Sequence, residues 1–128
     1  GTKKEHIARA ALESIAYQSK DVIETMKEES HLTLDHLFVD GGATNNTFLM
    51  QFQSDILNTD IMIPRVKETT ALGAAYLAGL AVGFWKDCQE IKTLHSITQT
   101  FYSHMNESER NKNYKGWKKA VEATRVFK

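Results

Sequence analysis

One segment of this 128-residue chain has the residue types for holding a phosphorylated ligand: Val39-Asp40-Gly41-Gly42-Ala43-Thr44-Asn45-Asn46. Two adjacent glycines allow backbone conformations barred to other residues and, lacking side chains, let a ligand lie against the main chain. A helix starting just beyond them adds free N–H groups and the positive end of its dipole, both attractive to phosphate. Asn46 offers an amide donor and a carbonyl acceptor, enough to hold a ribose hydroxyl or a phosphate oxygen. The segment is neither the GxGxxG dinucleotide fingerprint nor a phosphate loop ending in Gly-Lys-Ser/Thr. A plainer reading of the same residues stays open, in which the glycines only make a tight turn and Asn45 or Asn46 only caps the helix. Asp40 also has two readings. It would orient a Mg-bound water beside the turn or, more commonly, stabilise the turn itself.

The remaining polar residues form no comparable constellation. Five histidines (His6, His31, His36, His95 and His104) lack ligand spacing such as HxxxH, and Cys88 has no second cysteine. No metal site is therefore expected from this chain alone. The serines form no Gly-x-Ser-x-Gly elbow. Trp85 and Trp117 have apolar neighbours at helical spacing and read as core or interface aromatics rather than base-stacking platforms.

The elements that must position the glycine segment follow from hydrophobic period. Ile7, Ala8, Ala11, Leu12, Ile15, Val22 and Met26 recur at three- and four-residue steps, predicting a long helix over about residues 4 to 29 with an apolar stripe. Thr2 and Glu5 have capping-box spacing at its start, and Ser30-His31 should end it. Leu37-Phe38-Val39 predicts a short buried parallel strand that delivers Asp40-Gly41-Gly42. In open α/β sheets ligands lie beyond the carboxyl ends of such strands. Phe48, Leu49, Phe52, Ile56 and Leu57 give a second helix, and Ile61 and Ile63 a second strand closed by Pro64. Residues 70 to 83 predict a third helix, read as buried, with Gly83 as its C-cap. Residues 86 to 105 read as loop with one short strand near Ile97 to Phe101. Tyr114, Trp117, Val121 and Thr124 mark a final helix with Ser108 at its N-cap. The alternation is that of the α/β class, but two strands make a poor sheet by themselves.

Hydrophobic content of 41% and charged content of 25% suit a globular domain with its own core. No run approaches the ~18 to 20 uncharged apolar residues of a membrane span. A single cysteine excludes an internal disulfide and suits a reducing compartment, with the cytoplasm expected. The formal net charge is zero, yet residues 107 to 128 are locally basic. Arg110, Lys112, Lys115, Lys118, Lys119, Arg125 and Lys128 face only Glu107, Glu109 and Glu122 there. Acidic residues interrupt the run and no recognition motif accompanies it, so it reads as a solvated helix face rather than a nucleic-acid surface. The opening Gly1-Thr2, without an initiator Met, leads us to expect a piece of a longer protein.

Three blocks carry a resemblance. Asp40-Gly41-Gly42-Ala43, then Phe48 through Leu57, then Glu68 through Trp85 closely resemble the FGGY carbohydrate kinases, and among them the members that act on glycerol. His6 through Glu13 looks like the tail of that family's second signature, and Gly116-Trp117-Lys118-Lys119-Ala120-Val121 is similar to the ending of those members. The resemblance implies a ribonuclease-H-like fold, of the actin and hexokinase kind, in a two-domain kinase with ATP in the cleft. Residues 1–128 would be the C-terminal portion of its second, nucleotide-contacting domain. It implies transfer of the γ-phosphoryl of ATP, with Mg2+, to glycerol, giving glycerol 3-phosphate. Gly42 and Asn46 fall on the family's ATP-contacting positions, with Gly41 beside them. The asparagine pair here stands one step earlier than in many relatives, which leaves Asn45 the weaker match.

The same resemblance puts the glycerol-binding residues, the catalytic aspartate, the N-terminal phosphate-binding threonines and a three-stranded antiparallel meander outside this chain. No catalytic residue is therefore expected within it, and the chain alone should be inactive. Its expected partners are ATP and glycerol in the parent enzyme, the N-terminal domain and, through unpaired strand edges, further copies of itself. Another sugar or polyol kinase of the family, or a non-enzymatic interaction module, are the alternatives left open.

Overall fold

The computed structural model describes residues 1–31, 33–66, 69–94 and 96–126. Glu68, His95 and Lys128, used above, lie outside the described residues. Helix α1 spans Lys4–Ser30, strand β1 His36–Phe38, a 3₁₀ turn Gly42–Asn45, α2 Thr47–Leu57 and β2 Asp60–Pro64. Then come α3 (Thr69–Ala81), α4 (Cys88–Leu94), β3 (Ile97–Phe101) and α5 (Glu107–Arg125). The fold is α/β, as the sequence alternation requires.

The sheet has three strands in the order β1-β2-β3. β1 pairs parallel with β2, Leu37 opposite Ile61, and the connection between them is α2. β3 returns antiparallel, with Ile61 opposite Phe101, so β2 is paired on both sides. This third strand, foreseen only as a short segment, completes what two strands leave marginal.

α2 supplies the core because its apolar residues surround it. Leu49, Met50, Phe52, Ile56 and Leu57 are all buried, and they pack with Ile61, Ile63 and Phe101 from the sheet and Ala16 and Tyr17 from α1. Ser54 is fully buried among them. Its hydroxyl lies 3.0 Å from the carbonyls of both Thr59 and Phe101, sharing one proton between them. That satisfies a polar group which would otherwise be costly at this depth.

Several expectations are corrected. The helix α1 starts after Lys3, so its cap does not use the Thr2 and Glu5 pair. The Lys3 N–H donates to His6 Nδ1 at 3.0 Å instead. The α1 stripe is only partly the core-facing side: Leu12 packs against the core, but Ile7, Ile15, Val22 and Met26 are exposed, and Ala16 and Tyr17 are buried. β1 is an edge strand, and Phe38 on it is 54% exposed rather than buried. α3 is likewise exposed along most of its length. Leu77 is 71% and Val82 82% accessible, and Gly79 alone is buried within the helix. No described element covers their outer faces.

Residues 86 to 105 contain α4, which periodicity missed because it has only seven residues. Asp87 caps it, accepting the N–H groups of Gln89 and Glu90. The N-cap of α5 is Asn106, which accepts the Glu109 N–H at 2.9 Å, and not Ser108. The end of α3 matches expectation. Gly83 has φ +74°, its N–H reaches the Leu80 carbonyl, and Phe84 N–H reaches the Gly79 carbonyl at 2.8 Å. This pair of bonds is the Schellman ending.

Candidate functional site

The glycine turn sits at the carboxyl ends of the two parallel strands. Val39 N–H makes a last bond to the Met62 carbonyl at 3.0 Å, and the chain then leaves the sheet. Gly41 takes φ +88°, a region that L side chains rarely occupy. Thr44 locks the far side of the turn: its N–H (3.2 Å) and its hydroxyl (2.8 Å) both donate to the Gly41 carbonyl, and the residue is buried. Gly42, like Gly41, has open space beside it. A Cβ built on it would meet no heavy atom within 4 Å, so its main chain faces open space.

Asn46 is the N-cap of α2, its Oδ1 accepting the Leu49 N–H at 3.0 Å. The capping reading of this residue is therefore realised. It does not exhaust the side chain, because an amide that accepts through its oxygen still carries two donors on Nδ2. Asn45 ends the 3₁₀ turn and is exposed. The turn and cap thus bring Gly41, Gly42 and Asn46 together at the N-terminal end of α2, where first-turn N–H groups lack intrahelical acceptors.

The Asp40 side chain has a partner far along the chain. Its carboxylate accepts the hydroxyl of Thr69, the first residue of α3. It therefore joins the start of the glycine turn to α3. Nothing in the sequence pairs residues 29 positions apart, so this partner had no local signal. Among the described residues no group of three or more His, Cys, Asp or Glu side chains is arranged to hold a metal.

A hollow of about 250 Å³ adjoins the turn, lined by Thr44, Asn45, Thr47, Ile63, Thr98 and Gln99. A larger open groove of about 470 Å³ runs between α1 and β1, lined by Ile15, Val22, Ile23, Leu37 and others. It touches none of Gly41, Gly42 or Asn46, although Gln18, Ser19 and Gln53 also line it, so size is a poor guide to the site here.

The groups with displaced titration lie on the contact between α1 and α5. Burial would raise the Asp21 carboxyl, but hydrogen bonds from Lys118, Trp117 and Tyr114 outweigh it and hold it below the usual carboxylate value. The Tyr114 hydroxyl is pushed up by burial and by Asp21, and Lys118 is raised mainly by its bond to Asp21. Burial, then Glu13, raises Tyr17. Such a network between packed helices is structural ion pairing rather than tuned acid–base chemistry.

The description of the FGGY family of carbohydrate kinases, C-terminal domain, matches residues 1–82. The chain belongs to this family. The glycerol kinase of Staphylococcus haemolyticus (strain JCSC1435) is 57% identical over all 128 residues, and that of Bacillus subtilis (strain 168) 56%. In each case the match takes in 100% of this chain and 26% of the relative. The chain thus spans about a quarter of the length of the curated relatives it matches. The solved Plasmodium falciparum glycerol kinase with ADP is 41% identical and superposes with a TM-score of 0.90, covering 97% of this chain and 25% of that one. A gluconate kinase from Lactobacillus acidophilus, 22% identical with a TM-score of 0.78 over 96% of this chain and 26% of its own, shares the fold. The α/β arrangement seen here is that of the FGGY C-terminal domain, of the ribonuclease-H-like, actin and hexokinase kind.

Proposed function

We propose that residues 1–128 are the C-terminal portion of the nucleotide-contacting domain of a cytoplasmic glycerol kinase. The parent enzyme transfers the γ-phosphoryl of ATP to glycerol. The reading is carried by identity of 55–57% to curated glycerol kinases along the entire chain. In the reaction a glycerol hydroxyl oxygen bonds to the γ-phosphorus, the bond to the β,γ-bridging oxygen breaks, and ADP leaves with that electron pair. The hydroxyl proton passes to a base outside this chain. Magnesium and the glycerol contacts also come from outside it.

The role assigned to this chain is positional. Phosphoryl transfer depends on placing the reactants and neutralising charge. Gly41 and Gly42 present bare main chain to the nucleotide, and Asn46 offers its Nδ2 donors from the head of α2. The open space over Gly42 and the helix N-terminus behind it support this reading.

The test is nucleotide and glycerol calorimetry on the full-length kinase carrying Gly42→Val or Asn46→Ser. A Cβ at position 42 meets no heavy atom of the fold within 4 Å, so with Gly42→Val thermal stability should hold while ATP affinity falls about tenfold or more, worth at least about 1.4 kcal/mol. Serine at 46 keeps an N-cap acceptor but loses the amide donors, so ATP affinity should again fall with glycerol binding unchanged. ATP affinity intact in both variants would refute the site.

A further inference from the structure

None of the described residues of α5 is fully buried, whereas α2 buries seven of its eleven. Tyr114 and Trp117 are partly buried against the core, and the polar contacts that hold α5 are concentrated at two points. At its start Arg110 donates to the Asp55 carbonyl (2.7 Å), to Asn58 Oδ1 (2.8 Å) and to the Met105 carbonyl (2.6 Å). One turn on, three donors converge on a single carboxylate of α1. Trp117 Nε1 lies 3.0 Å and Lys118 Nζ 2.7 Å from Asp21, and the Tyr114 hydroxyl also donates to it. Positions 114, 117 and 118 share one helix face, so the three donors engage or let go together. The Trp117 ring stacks on Tyr17 at 5.4 Å between centroids. Past Val121 the helix holds chiefly to itself, Arg125 pairing with Glu122.

Segments open locally where buried apolar contacts are few, while the core opens only with the whole molecule. We infer that α5 is a strap that opens as one unit while α1, α2 and the sheet stay folded, and that Asp21 is the catch that holds it shut. Opening it uncovers the Tyr17 ring, which is otherwise buried, and turns an inner aromatic face into an accessible one. Asp21 works as a catch because one acceptor serves three donors. Its loss frees all three donors in one step and leaves the Trp117 stack on Tyr17 and the Arg110 hinge.

Peptide-resolved hydrogen exchange on the full-length protein tests this, with α2 as the internal reference. In the unaltered protein the amides of residues 111–125 should exchange together, at least about tenfold faster than those of α2. Asp21→Asn should speed the α5 amides by a further factor of about ten or more, the scale of lost hydrogen bonds to a charged group, and leave α2 unchanged. Trp117→Phe, which keeps a ring for Tyr17 but removes one donor, should give a smaller acceleration confined to α5. A common exchange rate for α5 and α2, equal acceleration of both in Asp21→Asn, loss of α2 protection in that variant, or an unmoved α5 would each overturn the inference.

Discussion

The Asp21 carboxylate shows how one side chain links packing to pH. It faces Lys118, Tyr114 and Trp117 of α5, and on its own helix Lys20 lies over the Tyr114 ring and pairs with Glu24. Its folded form titrates below the ordinary value, so folding favours the ionised state. The linked stability is fully present above the unfolded pKa of about 3.9 and is lost as pH falls through the lower folded value. The urea midpoint should therefore exceed that of Asp21→Asn at neutral pH, and the gap should close toward about pH 2. A gap that persists in acid would contradict this. The two glycines of the turn make a similar single-residue contrast. Gly41 answers to backbone conformation, through its positive φ, whereas Gly42 has no positive φ, and a Cβ on either would meet open space.

At the scale of the element, α3 is the instructive case. It reads from its sequence as a buried helix, yet among its described residues only Gly79 is buried. Gly79 is buried because the Trp85 ring folds back onto it, and a Cβ there would overlap that ring. Trp85 in turn meets the edges of Tyr76 and Phe84. Gly79→Ala should therefore expel Trp85 from its seat, although alanine is the better helix former by about 1 kcal/mol. Tryptophan emission of a Trp117→Phe background should shift to the red when Gly79→Ala is added. Unshifted emission would show that the ring accommodates the methyl. The small residues elsewhere on α3 have no described neighbour that requires them.

For the whole molecule, exposure is the dominant fact. β1 is an unpaired edge, and the groove beside it is lined by Ile15, Val22, Ile23 and Leu37. Leu77, Val82 and Phe84 stand open on and after α3. Unpaired edges and large apolar patches recruit partners. Sedimentation of this chain over a wide concentration range should show association that grows with concentration, and a clean monomer throughout would count against it. The 128-residue chain should also show no glycerol-dependent ADP release in a coupled assay. A few hydrogen bonds of roughly 0.5 to 1.5 kcal/mol each do not offset the cost of immobilising ATP, at least about 4 kcal/mol. Turnover that survives repurification would refute this.

How much of this was legible in sequence depended on how local the cause is. The period of α1 and α2, the glycine turn after β1, the Gly83 ending of α3 and the α/β class follow from steric and hydrogen-bonding rules acting over a few residues, and the resemblance carried the family. α4 escaped because seven residues carry too little period. The true caps, Lys3 with His6 and Asn106, escaped because several residues near each helix start have capping chemistry and the backbone chooses among them. Burial was decided only in three dimensions. A hydrophobic stripe states that a face can be covered, but which side of α1 meets α2, and whether anything meets α3, depends on where the other elements lie. The same holds for Asp40 with Thr69 and for Asp21 with Tyr114, Trp117 and Lys118. These partners are 29 and 93 to 97 positions apart, and only the tertiary fold puts a donor beside each carboxylate.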